Sequence, residues 1–254
     1  QIKSECTSKS SEFGSTFTYP EKFMKTILSS GIQDELTSVA KFKEQKELKK
    51  SDGAKKTKLL GIPKLDDANW AGTSKSAKCT LIITEGDSAK ALAISGLSVV
   101  GRDSYGVFPL RGKPRNVRDA SVKQLMDNKE FSDLKKIIGL QQEKEYKSLS
   151  DLRYGKLMIM TDADLDGSHI KGLVLNMFEC FWPSLIKLGF VVSMVTPIIK
   201  VGKLSFFTNQ TYEAWLREQG GQIPRNMKVK YYKGLGTSTS TEAKEYFKEI
   251  DKLT

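Results

Sequence analysis

Strand-like and helix-like patterns of apolar residues alternate along the chain from about residue 79 onward. Short apolar runs of the kind that form buried strands occur at 79–84 and 156–161. Each run is followed by apolar residues at three- and four-residue steps, which predicts amphipathic helices at 89–97 and about 168–182. This order of strand, helix, strand and helix is typical of an α/β fold built on a parallel sheet.

The rest of the chain after residue 100 adds shorter elements to this pattern. Residues 105–118 predict a turn and a strand, and 120–150 predict short helices with loops. Further strands are predicted around Pro197 and at 229–232, before a helix that begins near residue 241. We therefore expect 79–254 to be one α/β domain with a C-terminal extension.

A different pattern precedes this domain. Apolar residues recur at helical spacing from Phe23 toward Leu48, and Gly31 interrupts them, which indicates two helices. Residues 51–78 are dominated by Ser, Gly, Lys and Ala, and their composition predicts a linker. The predicted organisation is therefore a helical segment at 1–50, a linker at 51–78 and the α/β domain at 79–254.

Composition adds a strong positive charge to this picture. The 254 residues include 41 Lys and Arg against 30 Asp and Glu, which gives a net charge of +11 and a pI near 9.4. Such a surplus favours a polyanionic partner, either nucleic acid or an anionic membrane. No run approaches the roughly 20 apolar residues of a membrane span. Three scattered cysteines and one histidine predict neither zinc nor disulfides, as expected of an intracellular protein.

Two of the predicted strands end in acidic residues. Glu85 follows the first strand, and Asp162, Asp164 and Asp166 follow the second. The carboxyl ends of neighbouring parallel strands share one edge of the sheet, where open α/β sheets bind their ligands. Three carboxylates within five residues repel one another unless water or a cation separates them. Oxygen ligands select a hard cation, so we expect Mg²⁺, which would neutralise charge on phosphoryl oxygens.

A calcium-binding loop or a simple turn would account for these aspartates less well. An EF-hand loop beginning at Asp162 would need a bidentate Glu at its twelfth position, where this chain has Leu173. A solvated turn would explain one Asp-Gly pair. It does not explain why an apolar strand leads into the acids and an amphipathic helix leads out of them.

Basic residues accompany the acids. Arg111 and Lys113 begin a stretch, 111–118, that has four positive side chains and no acid. An exposed loop would account for this stretch, but beside a metal site its cations would suit phosphate contacts. Lys233 opens a glycine-containing loop whose backbone N–H groups could approach an anion. His169, the only histidine, fits either a structural role or a phosphate contact.

These residues lie in motifs that closely resemble those of eukaryotic-type DNA topoisomerase II, the type IIA family. The resemblance covers nearly the whole chain in the same order. The motifs are EGDSA at 85–89, PLRGK at 109–113 with NVR at 116–118, MTDADLDGSHI at 160–170 and YKGLGT at 232–237. Residues 61–68 resemble the family's segment before its TOPRIM domain, and Gln1-Ile2-Lys3 resembles a QTK loop in which Ile2 replaces the usual Thr.

The resemblance implies a Rossmann-like TOPRIM domain with a parallel sheet, preceded by a helical segment derived from the transducer domain. In that family the Glu and the first two Asp hold one or two Mg²⁺ ions. Carried over to this chain, the resemblance implies metal binding and catalysis at Glu85, Asp162 and Asp164, with Asp166 supporting the metal and Arg111 and Lys113 assisting catalysis. It implies DNA contact at Gly86, Asp87, Arg111, Lys113, Asn116, His169 and Lys233. It also implies that Gln1 and Lys3 sense ATP.

The resemblance also implies the activity of the whole enzyme. Type IIA topoisomerases relax and decatenate double-stranded DNA by transient double-strand cleavage and ATP-driven strand passage. They are homodimers, without a membrane partner, that act in the nucleus, or in the cytoplasm for a viral relative. The ATPase domain and the nucleophilic tyrosine are expected outside this chain, which also has no initiator Met. We therefore expect the isolated segment neither to cleave DNA nor to hydrolyse ATP.

Three alternatives remain at this point. Another TOPRIM protein, a primase or a nuclease, would share the Glu and the Asp-x-Asp but would not be expected to carry PLRGK and YKGLGT. A haloacid-dehalogenase-like phosphatase needs Thr or Val where this chain has Asp166. A non-catalytic DNA-binding module would use the positive charge without any dependence on metal.

Overall fold

The structure is a computed structural model, and it describes residues 20–59, 61–224 and 227–254. The chain divides into two units, one up to Lys46 and the other from Glu47 to Thr254. The helices are α1 Glu21–Ser29, α2 Ile32–Lys49, α3 Gly86–Val100, α4 Val122–Asp127, α5 Lys129–Ile138, α6 Leu165–Phe181, α7 Pro183–Lys187, α8 Asn209–Glu218 and α9 Ser240–Lys248. The strands are β1 Thr80–Glu85, β2 Tyr105–Leu110, β3 Lys156–Met160, β4 Val191–Ser193, β5 Ile199–Val201, β6 Leu204–Phe206 and β7 Val229–Tyr231.

The described part of the first unit, from residue 20 onward, is helical, as its apolar spacing predicts. Gly31 has a φ of +74° and separates α1 from α2, so the predicted interruption is confirmed. Apolar side chains on these two helices, among them Leu28, Leu36 and Phe42, are exposed. None of the helices in the described residues is both long enough and apolar enough to cross a membrane.

The second unit is built on a four-stranded parallel sheet in the order β2-β1-β3-β4, which confirms the predicted α/β class. Leu81 and Ile83 of β1 pack into one hydrophobic cluster, whereas Ile82 packs into a second cluster on the opposite face. Burial on both faces explains why β1 reads as a continuous apolar run and not as an alternating one.

The shorter strands form a separate sheet, which the sequence pattern does not distinguish. Strands β5, β6 and β7 pair antiparallel in the order β6-β5-β7, around a small cluster that includes Phe206 and Tyr212. Only Gly202 and Lys203 separate β5 from β6, and Gly202 has a φ of +58°. A connection of that length makes a hairpin, since parallel neighbours need a crossover of a dozen residues or more.

Residues 51–78, which their composition predicts to be a linker, pack against the parallel sheet instead. Ala68 and Ala71 are buried in the larger hydrophobic cluster. Asp66 makes a β-bridge to Val107 of β2. The small side chains that suggest flexibility in the sequence also permit close backbone packing. A Cβ added at Gly72, for example, would lie 2.1 Å from the carbonyl oxygen of Lys56.

Candidate metal centre

Two acidic side chains meet at the carboxyl edge of the parallel sheet. Glu85 is the last residue of β1, and Asp162 lies just beyond β3. The two strands are hydrogen-bonded neighbours, with Thr84 opposite Met160. The backbone N–H of Asp162 donates to Oε2 of Glu85 over 3.5 Å. The convergence expected from the strand order is therefore observed.

The other two aspartates lie at the start of α6. The Oδ1 atom of Asp164 accepts a hydrogen bond from the Gly167 N–H at 2.8 Å, so Asp164 is the N-cap of the helix. This cap starts α6 at Leu165, before the predicted start at residue 168. Asp166 in the first turn is exposed and forms a 2.8 Å ion pair with Lys113.

Asp162 is held by a residue far along the chain. The Leu235 N–H donates to Oδ1 of Asp162 over 2.7 Å. Gly234 lies so close that an added Cβ would be 2.3 Å from Oδ2 of Asp162. Gly167 approaches the backbone of the same residue, since an added Cβ there would lie 2.1 Å from the Asp162 carbonyl oxygen. Glycine at these two positions therefore allows the loop to close around Asp162.

The electrostatics of the edge favour a cation. Burial raises the pKa of Glu85 above its usual 4.5; the Asp162 N–H partly offsets this, and the negative charges of Asp162, Asp164 and Asp166 raise it again. The hydrogen bond and charge of Lys113 instead lower the pKa of Asp166, and the His169 charge adds to this. A bound cation would relieve the repulsion at Glu85 as Lys113 does at Asp166.

The four predicted ligands are neighbours, but they do not form a ready-made cage. Throughout the described ranges, no three Asp, Glu, His or Cys side chains stand in an arrangement that could hold a metal ion. Mutual repulsion explains why the acids take other partners: a helix N-terminus for Asp164, Lys113 for Asp166 and a backbone N–H for Asp162. The donor set still suits Mg²⁺, which needs only one or two carboxylates because it keeps several waters.

The EGDSA segment turns sharply from β1 into α3. Gly86 has a φ of +79°, a conformation that favours glycine, and α3 begins there directly after Glu85. The helix therefore starts three residues before the predicted start at residue 89, and Asp87 and Ser88 lie within it. The exposed Asp87 carboxylate pairs with Lys64 at 2.8 Å, and this hydrogen bond lowers the pKa of Asp87.

The basic loop after β2 borders the acids through Lys113. Arg111 is exposed, and its backbone N–H, not its guanidinium, donates to the carboxylate of Glu130. Asn116 is already engaged within the protein, since its Oδ1 accepts from the Asn176 amide at 2.9 Å and its amide donates to Asp119. The Asn116 side chain therefore stabilises the loop through hydrogen bonds within the protein. DNA contact by Asn116 remains a prediction.

The remaining predicted site residues fall into two groups. His169 and Lys233 are exposed, and each is close in sequence to a residue that touches the acidic edge. Gln1 and Lys3 lie outside the residues that the structure describes. Their proposed role in sensing ATP stays a prediction.

Sequence reasoning missed several contacts of the site. Lys64 pairs with Asp87, and the Leu235 N–H binds Asp162 although the two residues are 73 positions apart. No local pattern marks the Lys64–Asp87 contact, because it depends on how distant segments are brought to one edge. For the Asp162 contact, the glycines of the 232–237 motif were an available signal, since glycine commonly marks a close backbone approach.

The four-stranded parallel sheet and the acidic edge at Glu85 and Asp162 together define a Toprim-type α/β domain. The family model of the Toprim domain matches residues 80–195, and that of the C-terminal associated domain of TOPRIM matches residues 194–254. The chain is 55% identical to DNA topoisomerase 2 of Pisum sativum over 98% of its own length, and 53% identical to DNA topoisomerase 2-alpha of Mus musculus over 98%. The chain belongs to the DNA topoisomerase II family.

A solved structure agrees with this assignment. The topoisomerase II DNA-binding, cleavage and re-ligation domain of Plasmodium falciparum is 55% identical, with a TM-score of 0.74 over 78% of this chain and 28% of that chain. These relatives favour the topoisomerase interpretation over a primase, a nuclease or a simple DNA-binding module. The chain spans only 17% of the length of both curated relatives.

Proposed function

We propose that this chain supplies the metal-binding part of the DNA-cleavage site in an ATP-dependent type II topoisomerase. The parent enzyme would relax and decatenate duplex DNA by transient double-strand cleavage and strand passage. The observation that carries the proposal is the pairing of Glu85 with Asp162 at the ends of neighbouring parallel strands. It is supported by the match to a solved domain named for DNA binding, cleavage and re-ligation.

Glu85, Asp162 and Asp164 would hold one or two Mg²⁺ ions, with Asp166 in support. All four offer carboxylate oxygens, the ligand type that Mg²⁺ prefers. When bound, the ion would stabilise negative charge on phosphoryl oxygens. Burial is the main cause of the raised pKa of Glu85, and the negative charges of the three aspartates, which a cation would offset, add to it. Direct ligation by Asp166 would require it to release Lys113.

The basic residues at this edge would bind the DNA backbone. Arg111, Lys113 and Lys233 have exposed side chains, which can reach phosphates. Asp166 holds the Lys113 ammonium group at the acidic edge, where it would be available to a phosphate that approaches the metal. The net charge of +11 agrees with such a polyanionic partner.

The wider context of the proposal follows from the family. The parent enzyme would act as a homodimer in the nucleus, or in the cytoplasm if it is viral. ATP would bind in another part of that enzyme, and Gln1 and Lys3 would contact its γ-phosphate. These features concern the whole parent enzyme, and this chain spans only 17% of the length of its relative from Pisum sativum.

Substituting Asp162→Ala in the complete enzyme tests the proposal. We expect Mg²⁺-dependent DNA cleavage to fall on the order of 100-fold or more, because a charged ligand is lost, while DNA affinity stays within a few-fold. Asp127→Ala, at an exposed residue of α4, is the matched control. Unchanged cleavage in the Asp162 variant, or cleavage that needs no divalent ion, would overturn the proposal.

A further inference from the structure

We propose that Gly234 and Leu235 are positioning residues that set the orientation of the Asp162 carboxylate for metal binding. The inference rests on the proposed function, because Asp162 is a ligand only under that proposal. It goes further in one respect: the strand end alone would leave the Asp162 side chain free to rotate. The 232–238 loop limits this rotation, because Gly234 and Leu235 both contact the Asp162 carboxylate.

Two contacts fix the carboxylate. The Leu235 N–H donates to Oδ1 at 2.7 Å, which is a short, well-placed hydrogen bond to a charged acceptor. Gly234 closes the space beside Oδ2, since an added Cβ would come within 2.3 Å of that atom. With Oδ1 bonded and Oδ2 confined, the side chain is held in one rotamer. Groups that orient a ligand in this way commonly change metal affinity by about 10- to 100-fold.

The loop that makes these contacts is itself rigid. Leu235 is 2% exposed and packs in the hydrophobic cluster that contains Met160 and Ala89. The N–H and the hydroxyl of Thr237 both donate to the Gly234 carbonyl, at 3.1 Å and 2.6 Å. The backbone donor at Leu235 is therefore fixed by packing and by the turn that follows it.

Glu242 in α9 anchors both ends of the loop. Its carboxylate accepts from Lys230 at 2.7 Å, from the Tyr232 hydroxyl and from the Thr239 N–H at 2.8 Å. Lys230 precedes the 232–238 loop, Tyr232 is its first residue and Thr239 follows it. One largely buried carboxylate therefore ties strand β7 to the start of α9. The C-terminal associated domain thus supplies part of a site whose acids belong to the Toprim domain.

Gly234→Ala is the direct test. The φ of Gly234 is −172°, an extended conformation that alanine also adopts, so the substitution adds a methyl group without backbone strain. That methyl group would displace the Asp162 carboxylate or the loop. In Mn²⁺ titrations of the 254-residue chain, followed by electron paramagnetic resonance, we expect about a tenfold or greater increase in Kd.

Gly236→Ala is the matched control, because a Cβ there would have nothing within 4 Å. Its Kd for Mn²⁺ should stay within twofold of the wild-type value. Thr237→Val keeps the shape of the side chain and removes one bond to the Gly234 carbonyl. It should weaken Mn²⁺ binding several-fold, and it decides the question if Gly234→Ala does not fold by circular dichroism.

Asp162→Ala separates the two proposals. If it leaves Mn²⁺ binding unchanged, the metal site itself is wrong. If it abolishes binding while the folded Gly234→Ala variant binds as the wild type does, the metal site stands and the positioning role is overturned. An equal loss of affinity in Gly234→Ala and Gly236→Ala would also overturn it, because the loss would then not depend on the contact with Asp162.

Discussion

Glu242 is a largely buried carboxylate outside the acidic edge, and folding strongly lowers its pKa. Only 14% of its side chain is exposed, and burial by itself would raise its pKa. The hydrogen bonds from Lys230, the Thr239 N–H and Tyr232 outweigh burial and lower the pKa from 4.5 to about 2. The charged form is therefore stabilised by folding, and the stability of the protein is linked to pH through this residue.

Glu242→Gln should lower the free energy of unfolding at pH 7 by roughly 2–3 kcal/mol. The Glu242 carboxylate binds its proton less tightly in the folded state than in the unfolded state, so its charged form stabilises the fold, and glutamine cannot carry that charge. The contribution of Glu242 is fully present above pH 4.5 and is lost as the pH falls toward about 2. Urea denaturation of both proteins at pH 7, 5 and 4 measures this. The gap between them should narrow below pH 4.5; a gap that is constant with pH would contradict the linkage.

Helix packing at the next scale depends on glycine at one position of α3. Gly96 is buried where α3 meets α9, and an added Cβ would lie 2.2 Å from the ring of Phe247. The apolar spacing predicts α3 and α9 as helices but contains no information about which helix packs on which. The close approach becomes visible only once both helices are in place.

Gly96→Ala should destabilise the protein by about 1–3 kcal/mol through overpacking against Phe247, despite the better helix propensity of alanine. Gly172→Ala in α6 is the matched control, since a Cβ there meets nothing within 4 Å. The control should be neutral or stabilising by up to about 1 kcal/mol. Thermal and urea unfolding compare the two variants, and destabilisation by both would contradict the packing argument.

The whole α/β unit is tied together by a buried ion pair. Arg153 is fully buried and pairs with Asp67 at 2.5 Å, and the hydroxyl of Tyr154 also donates to Asp67. Arg153 precedes β3, whereas Asp67 lies in the segment that its composition predicts to be a linker. This pair helps to explain why residues 51–78 are part of the folded unit.

Asp67→Ala should cost about 3–5 kcal/mol, because it leaves the buried Arg153 charge without its partner. Asp151→Ala removes the partner of Lys144 in an exposed ion pair and should cost less than about 1 kcal/mol. Chemical denaturation of both variants gives the two values. Equal, small costs would show that the segment is held by other contacts.

The sequence by itself determined the α/β class, the two strands that lead to Glu85 and Asp162, and the family, because apolar periodicity and short motifs are local properties of the chain. Tertiary structure alone decided the second, antiparallel sheet, the packing of residues 51–78 and the hold of Gly234 and Leu235 on Asp162. Each of these depends on contacts between residues distant in the chain, and local patterns carry no record of such contacts.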